Sequence, residues 1–271
     1  MQWTEASGLG LGHFTFLDLP PVALIRLARQ TGFSFVGLRL VPFAPGQLHY
    51  SPRTEAELRA LQAALADEGV GVYDIETIVI DEAFDPDALK PVIDAAAALG
   101  AKRLNVCAED WDRGALITLF GRLCDLAGAA GIGVDIECMA WRGIDTPAKC
   151  LEVIDASGAP NAAFLVDALH LHRCGGNARA VSAMPHSRVR SAQLCDAAAA
   201  APAGGEAMIR EARGGRKIPG EGGLDLRSLV AALPAGTVIS VEIPMADDPR
   251  SPEARAAAIH SATTRMLEDA P

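Results

Sequence analysis

The sequence has few aromatic residues, no excess of basic residues and no long hydrophobic run. Aromatic residues make up 5% of the 271 positions, and 34 acidic against 24 basic side chains leave a formal net charge of −10. Because nucleic-acid-binding proteins normally carry a basic surface, we expect no nucleic acid as a partner. No apolar run approaches the roughly 20 residues that cross a bilayer, so no membrane partner is expected either.

Features typical of secreted proteins are also missing. The first ten residues contain no basic region followed by an apolar stretch, so no signal peptide is predicted. The six cysteines are scattered and form no CxxC pair, whereas a disulfide framework is typical of small secreted chains. We therefore expect a cytoplasmic protein with reduced thiols.

The sequence instead alternates short apolar runs with longer amphipathic stretches. The apolar runs lack the polar alternation of a sheet with one wet face, which is typical of strands buried on both faces. The predicted strands are Leu9–Phe16, Phe35–Val41, Gly71–Ile80, Arg103–Ala108, Gly133–Cys138, Ala163–Asp167, Val189–Cys195 and Val238–Ile243. Predicted helices between them include Pro21–Gln30, Thr54–Glu68, Pro86–Leu99 and Arg113–Ala130.

Eight strand–helix units without a linker predict an α/β fold, a (β/α)8 TIM barrel that covers residues 1–271 as a single domain. The alternative, an open doubly wound sheet, commonly has a glycine-rich phosphate loop after its first strand. The glycines of GLGLGH lie before or within the first predicted strand, and no helix follows them directly. The long irregular segment Ala197–Gly223 is predicted to be a functional loop over the barrel mouth.

Four polar residues end the apolar runs from the fifth to the eighth strand, namely Glu137, Asp167, Gln193 and Glu242. TIM-barrel active sites lie at the carboxyl ends of the strands. An unpaired carboxylate is costly to bury, and a shared divalent cation removes that cost. Oxygen ligands suit Mn²⁺ or Mg²⁺, with Co²⁺ or Zn²⁺ as less natural choices. We therefore expect one divalent metal ion, although any one of these residues could instead form a salt bridge.

Other polar residues are candidates for roles around this site. His170 follows Asp167 by three residues and could be a ligand, a partner of Asp167 or an acid–base group, because imidazole transfers protons near neutral pH. Candidate substrate-binding residues are Arg39, Glu76 and, in the loop sequence EARGGRKIPGEGGLDL, Arg213, Arg216 and Lys217. Arginine and lysine bind carboxylates and phosphates, but each of these residues could equally be a structural polar group.

The order of five short motifs resembles the xylose-isomerase-like barrel superfamily of sugar isomerases and epimerases. The motifs are IE at strand five, VDALH at strand six, QLCDA at strand seven, PGEGGLDL in the next loop and SVEIP at strand eight. The resemblance implies metal ligands at Glu137, Asp167, Gln193 and Glu242. Many epimerases of the superfamily have histidine where this sequence has Gln193, and glutamine there resembles the dehydratases that act on dehydroshikimate.

The resemblance implies an isomerase or epimerase that acts on a sugar or sugar-like polyhydroxy carbonyl substrate through an enediolate. Glu137 or Glu242 would remove the proton. The alternative is a metal-dependent dehydratase, a lyase of the 3-dehydroshikimate or inosose type, in which His170 would protonate the leaving hydroxyl. A third interpretation is a barrel that binds a ligand without converting it. The resemblance also implies a homodimer or homotetramer.

Overall fold

The computed structural model describes residues 8–269, and its centre is a closed barrel of eight parallel strands. Each strand pairs with its neighbours in chain order, and β1 pairs with β8 to close the ring. The strands are β1 Leu9–Leu11, β2 Phe35–Leu38, β3 Gly71–Ile80, β4 Arg103–Ala108, β5 Gly133–Ile136, β6 Ala162–Asp167, β7 Val189–Leu194 and β8 Val238–Val241. The predicted (β/α)8 TIM barrel is thereby confirmed.

Helices surround the barrel and cover its outer face. They are α1 Pro21–Thr31, α2 Glu55–Glu68, α3 Lys90–Ala98, α4 Arg113–Ala129, α5 Pro147–Ser157, α6 Ala168–Arg173, α7 Ala178–Ser182, α8 Gly205–Gly214, α9 Leu226–Ala232 and α10 Pro252–Glu268. Helix α2 begins with a complete capping box between Thr54 and Glu57, which satisfies two backbone N–H groups at its start. Among residues 8–269, no helix is both long and apolar enough to span a bilayer.

Several predicted strands and helices have shorter bounds in the structure, and two predicted segments differ from it in kind. The strand predicted over Leu9–Phe16 ends at Leu11, and His13–Phe16 forms a 3-10 turn. The chain leaves the sheet there because the Phe14 N–H donates to Glu76 Oε1 at 2.8 Å and the Thr15 N–H donates to Gly12 O at 3.1 Å.

The segment Ala197–Gly223 is not irregular throughout, because it contains helix α8. Its alanine, glutamate, methionine and arginine residues favour a helix. Glycines flank this short run, and they conceal it in the sequence. Gly204, directly before the helix, has φ +85°, a conformation that glycine adopts without strain.

A polar layer fills the barrel below the carboxyl ends of the strands. Arg103, at the start of β4, donates from Nε to Asp135 Oδ1 at 2.9 Å, and Ser191 Oγ donates to Asp135 Oδ2 at 2.6 Å. Nearby, Asn105 Nδ2 donates to Asp74 Oδ2 at 2.9 Å. Each contact joins residues of different strands, so the layer links strands that are distant in the sequence.

We expect Asp135→Ala to destabilise the barrel by roughly 3–5 kcal/mol, because it leaves the Arg103 guanidinium buried without its partner. The free energy of unfolding in urea measures the change. The control is Asp87→Ala, which removes the partner of Arg122 in an exposed ion pair and should change that free energy little. Equal effects of the two substitutions would contradict the structural importance of the layer.

Candidate active site

The carboxyl ends of β5 to β8 carry the four residues predicted to bind a metal. Glu137 directly follows β5 and Glu242 directly follows β8, whereas Asp167 is the last residue of β6. Gln193 lies in β7 and is the register partner of Asp167. All four side chains are buried, so the barrel assembles them at one end.

Glu137, Asp167 and His170 form a compact group of possible metal ligands. One ligand atom from each residue lies within 4.8 Å of the other two. His170 belongs to helix α6, and Asp167 caps the N-terminus of this helix. The backbone N–H of His170 donates to Asp167 Oδ1 at 2.8 Å. His170 Nε2 lies 4.0 Å from Glu137 Oε2. The three-residue spacing of Asp167 and His170 therefore places both side chains in the first turn of one helix, at the site.

Arg216 contributes a buried positive charge to the same group. Its Nη1 donates to Asp167 Oδ2 at 2.6 Å, and its Nη2 lies 2.9 Å from Glu242 Oε2. Nη2 also lies 3.3 Å from His170 Nε2. Because a guanidinium only donates, His170 accepts through Nε2 and carries its proton on Nδ1. Arg216 is named above as a substrate-binding candidate, and here its guanidinium contacts two of the predicted ligands.

Burial dominates the electrostatics of these side chains. Burial raises the pKa of Glu137 well above its ordinary value, and the neighbouring carboxylates of Asp167 and Glu242 raise it further. Burial likewise raises the pKa of Glu242 to about 8, against the opposing effect of Arg216. Burial lowers the pKa of His170 to about 4, so this imidazole is neutral at pH 7. Burial alone would raise the pKa of Asp167, but Arg216 and His170 hold it below its ordinary value.

These residues fit a divalent cation. Within residues 8–269, no arginine or lysine forms an ion pair with Glu137, and Glu137, Asp167 and His170 each offer a ligand atom within 4.8 Å of the others. The Gln193 amide and the carboxylates offer oxygen ligands in a space where negative charge exceeds positive charge. His170 adds an imidazole nitrogen to the possible set, which suits zinc as well as Mn²⁺ or Mg²⁺.

The sequence matches the family model described as xylose isomerase-like TIM barrel over residues 25–264. This chain belongs to that family. A curated relative, a 3-dehydroshikimate dehydratase of Pseudomonas aeruginosa, is 25% identical over 115 residues, which are 42% of this chain and 18% of the relative. The chain thus matches about a fifth of that relative's length.

Solved structures of other proteins share this fold over nearly the whole length of the chain. The IolI protein with a bound zinc atom has a TM-score of 0.81 at 16% identity, covering 98% of this chain and 99% of that one. A D-allulose 3-epimerase from Methylomonas sp. has a TM-score of 0.74 at 17% identity, covering 98% and 100%. The probable 3-dehydroshikimate dehydratase AsbF from Bacillus anthracis has a TM-score of 0.74 at 15% identity, covering 95% and 99%. Proteins that share this fold therefore include a D-allulose 3-epimerase and a probable 3-dehydroshikimate dehydratase.

A cavity of about 220 Å³ opens above the carboxylates of this xylose isomerase-like barrel. Its polar lining includes Glu137, His170, Arg216 and Glu242, together with Arg213. Lys217 is exposed, does not line this cavity and pairs through its backbone with Asp196. The structure thus brings Arg213 to the site and keeps the Lys217 side chain away from it.

Arg39 lines the cavity, whereas Glu76 is buried next to it and is not among the lining residues. The buried guanidinium of Arg39 lies 5.0 Å from the Phe14 ring centroid and 5.9 Å from that of Phe43. No carboxylate of the described residues lies within ion-pair distance of Arg39, and its Nε is buried without a partner. Glu76 is fully buried below the cavity, where its Oε1 accepts from the Phe14 N–H at 2.8 Å and its Oε2 is buried without a hydrogen-bond partner.

The aromatic and apolar walls of the cavity were not predicted from the sequence. These walls are Phe14, Leu17, Phe43, Leu48, Met139 and Trp141. They come from loops after β1, β2 and β5, and no periodic pattern marks them. Trp141 packs edge-on against His170 with ring centroids 5.2 Å apart. A polar residue that follows a buried strand is recognisable in the sequence, whereas an aromatic residue in an irregular loop is not.

His13 is a structural residue that supports Arg39. Its Nδ1 accepts the Arg39 backbone N–H at 3.0 Å, so the proton on Nε2 faces Leu19 O at 2.9 Å. The His13 ring also stacks on Tyr50 with centroids 5.2 Å apart. Burial lowers the pKa of His13 from 6.5 to about 4.

We expect the stabilising effect of His13 to decrease as pH falls. The unfolded chain binds a proton at His13 below pH 6.5, whereas the folded protein resists that proton until about pH 4. The difference in unfolding free energy between the wild type and His13→Gln should therefore shrink by about 2 kcal/mol from pH 8 to pH 5. Urea unfolding at each pH measures this difference, and the exposed His186→Gln is the control. A difference that stays constant would contradict the assigned hydrogen bonds.

Proposed function

We propose that this protein is a divalent-metal-dependent isomerase or epimerase of sugar or sugar-like polyhydroxy carbonyl compounds. The observation that carries the proposal is the buried pair of carboxylates, Glu137 and Glu242, on the floor of a small cavity beside a neutral His170. Proton removal next to a carbonyl needs a base of this kind, placed where water is largely excluded. The D-allulose 3-epimerase that shares this fold supports this proposal.

The proposed metal ligands are Glu137, Asp167, Gln193 and Glu242, with His170 as a further donor. When bound, the ion would supply a positive charge that stabilises negative charge developing on a substrate oxygen.

Side chains of this barrel would carry out the proton transfers of the proposed reaction. A buried carboxylate with a raised pKa is a stronger base than a solvated one, so Glu137 or Glu242 removes the proton from the carbon beside the carbonyl. His170 carries a proton on Nδ1, which is buried without a partner and is available to a substrate oxygen. In an isomerase, the proton returns to the neighbouring carbon or to the other face of the same carbon.

We expect Asp167→Asn and Glu242→Gln each to lower metal content and to reduce turnover on the order of 10²-fold or more, because each removes a ligand charge or a base. Elemental analysis of protein purified with Mn²⁺ measures the metal. Circular dichroism checks that the barrel is folded, and Glu82→Gln on an exposed turn is the matched control. Full activity and metal content in either variant would exclude this assignment of the site.

The reaction itself is tested by incubating the Mn²⁺-loaded protein in D₂O with ketoses, an inosose and 3-dehydroshikimate. Deuterium incorporated beside the carbonyl, with an isomeric product and no loss of water, supports the isomerase. Rising absorbance from a conjugated aromatic product of 3-dehydroshikimate supports a lyase instead. Metal binding without exchange or conversion of any of these compounds would favour a ligand-binding barrel.

The second candidate function is a dehydratase of a cyclic keto-acid, and Arg39 is the observation that favours it. A buried guanidinium that has no carboxylate partner and faces a cavity with apolar walls is suited to bind a substrate carboxylate. Phe14 and Phe43 hold its plane in place. In this reaction a β-hydroxyl group leaves after the proton is removed, and His170 would donate the proton it needs. The similarity to a 3-dehydroshikimate dehydratase agrees with this candidate.

We expect Arg39→Gln to raise the KM for an acidic substrate by about 10- to 100-fold, because a hydrogen bond to a charged group contributes roughly 1.5–3 kcal/mol. The KM for a neutral ketose should change much less. Steady-state kinetics with both substrates give the comparison, and Arg39→Lys tests whether charge alone is sufficient. An equal effect on both substrates would show that Arg39 does not bind a carboxylate.

A further inference from the structure

The Arg216 guanidinium is built into the predicted metal site. It is fully buried and contacts one oxygen of Asp167 and one oxygen of Glu242. Its Nε donates to Ala212 O at 3.1 Å, and Nη1 also donates to Glu242 O at 3.2 Å. These contacts join Arg216 to helix α8, β6 and the end of β8. No other arginine or lysine within residues 8–269 forms an ion pair with either carboxylate.

The oxygen atoms that Arg216 uses are among those that a metal ion would need. Asp167 Oδ2 accepts from Arg216, and Asp167 Oδ1 accepts the His170 N–H, so both oxygens of this side chain already have donors. Glu242 Oε2 is likewise close to the guanidinium. A metal ion bound to these carboxylates would lie close to the Arg216 guanidinium, which contacts the same side chains. Two positive charges repel each other strongly where water is excluded.

We propose that Arg216 competes with the divalent metal for Asp167 and Glu242, so that metal binding displaces the guanidinium from these two carboxylates. This inference rests on the metal site of the proposed function. Arg216 is then a resident cation that stabilises the buried carboxylates whenever the metal is not bound.

The surroundings of Arg216 allow its side chain to move while its backbone stays in place. Isolated β-bridges hold the backbone on both sides, between Gly215 and Met245 and between Lys217 and Asp196. Arg216 is among the residues that line two spaces, the cavity above the carboxylates and an outer cleft of the protein that Glu221 and Asp247 also line. We infer that the displaced guanidinium would move toward one of these spaces, and the outer cleft would offer it other acidic groups.

The test compares Mn²⁺ binding by the wild type, Arg216→Gln and Arg213→Gln in isothermal titration calorimetry. Arg213 also lines the cavity but forms no ion pair with the predicted ligands, so Arg213→Gln removes the same charge without removing the contact. We expect Arg216→Gln to bind one Mn²⁺ per chain at least tenfold more tightly than the wild type. Arg213→Gln should change the affinity by no more than about twofold, since solvent screens a charge that makes no direct contact.

Unchanged or weaker Mn²⁺ binding by Arg216→Gln, with measurable binding by the wild type, would overturn the competition while leaving the proposed function intact. If neither protein binds Mn²⁺, the metal site of the proposed function fails together with this inference. Binding by Arg216→Gln alone would be the strongest support for competition.

A second measurement needs no substitution and therefore does not depend on the folding of a variant. In protein labelled with ¹⁵N-arginine, the buried Nε–H of Arg216 should exchange slowly with solvent because it donates to Ala212 O. We expect saturating Mg²⁺ to shift this signal and to accelerate its exchange. A signal that remains unshifted and protected at saturation would show that Arg216 keeps its contacts beside the metal, which would overturn the proposal.

Discussion

The burial of several carboxyl groups in a small volume is the constraint on which the rest of this site depends. The carboxyl groups lie inside the barrel or at its mouth and are those of Asp74, Glu76, Glu137, Asp167 and Glu242. Burial raises the pKa of most of them, because the charged form loses its hydration. The only fully buried cations near them in the described chain are Arg39 and Arg216. Negative charge is therefore in excess, and a further cation would stabilise the ionised forms.

Arg216 meets part of this requirement, because it contacts both Asp167 and Glu242. The pKa of Asp167 is held below its ordinary value, whereas those of Glu137 and Glu242 are raised. Asp167 differs because Arg216 and His170 act on it together, so two contacts set apart side chains that look equivalent in the sequence. The segment after β7 also carries Arg213 to the cavity. Helix α8 and the residues directly after it thus supply two of the positive charges at the barrel mouth.

Strand positions and the four strand-end residues could be predicted because burial on both faces leaves a clear apolar run. Strands β3 and β4 have the predicted bounds, and the barrel register brings Asp167 beside Gln193 without any further signal. The contacts of Arg216 could not be predicted, because its ion pair with Asp167 joins residues 49 positions apart and no spacing encodes it. Helix α8 was missed because its flanking glycines and alanines hide a short helical run.

The polar layer of Arg103, Asp135 and Ser191 lies below the site, whereas the candidate site opens at the carboxyl ends of the strands. The cavity above the carboxylates has a volume of about 220 Å³, and loop residues at the barrel mouth line it. In the proposed reaction, substrate and product would occupy the same small cavity, so a product molecule would have to leave before the next substrate binds. A strongly held product would therefore act as a competitive inhibitor, and the loops that carry Phe43 and Trp141 would set its rate of escape.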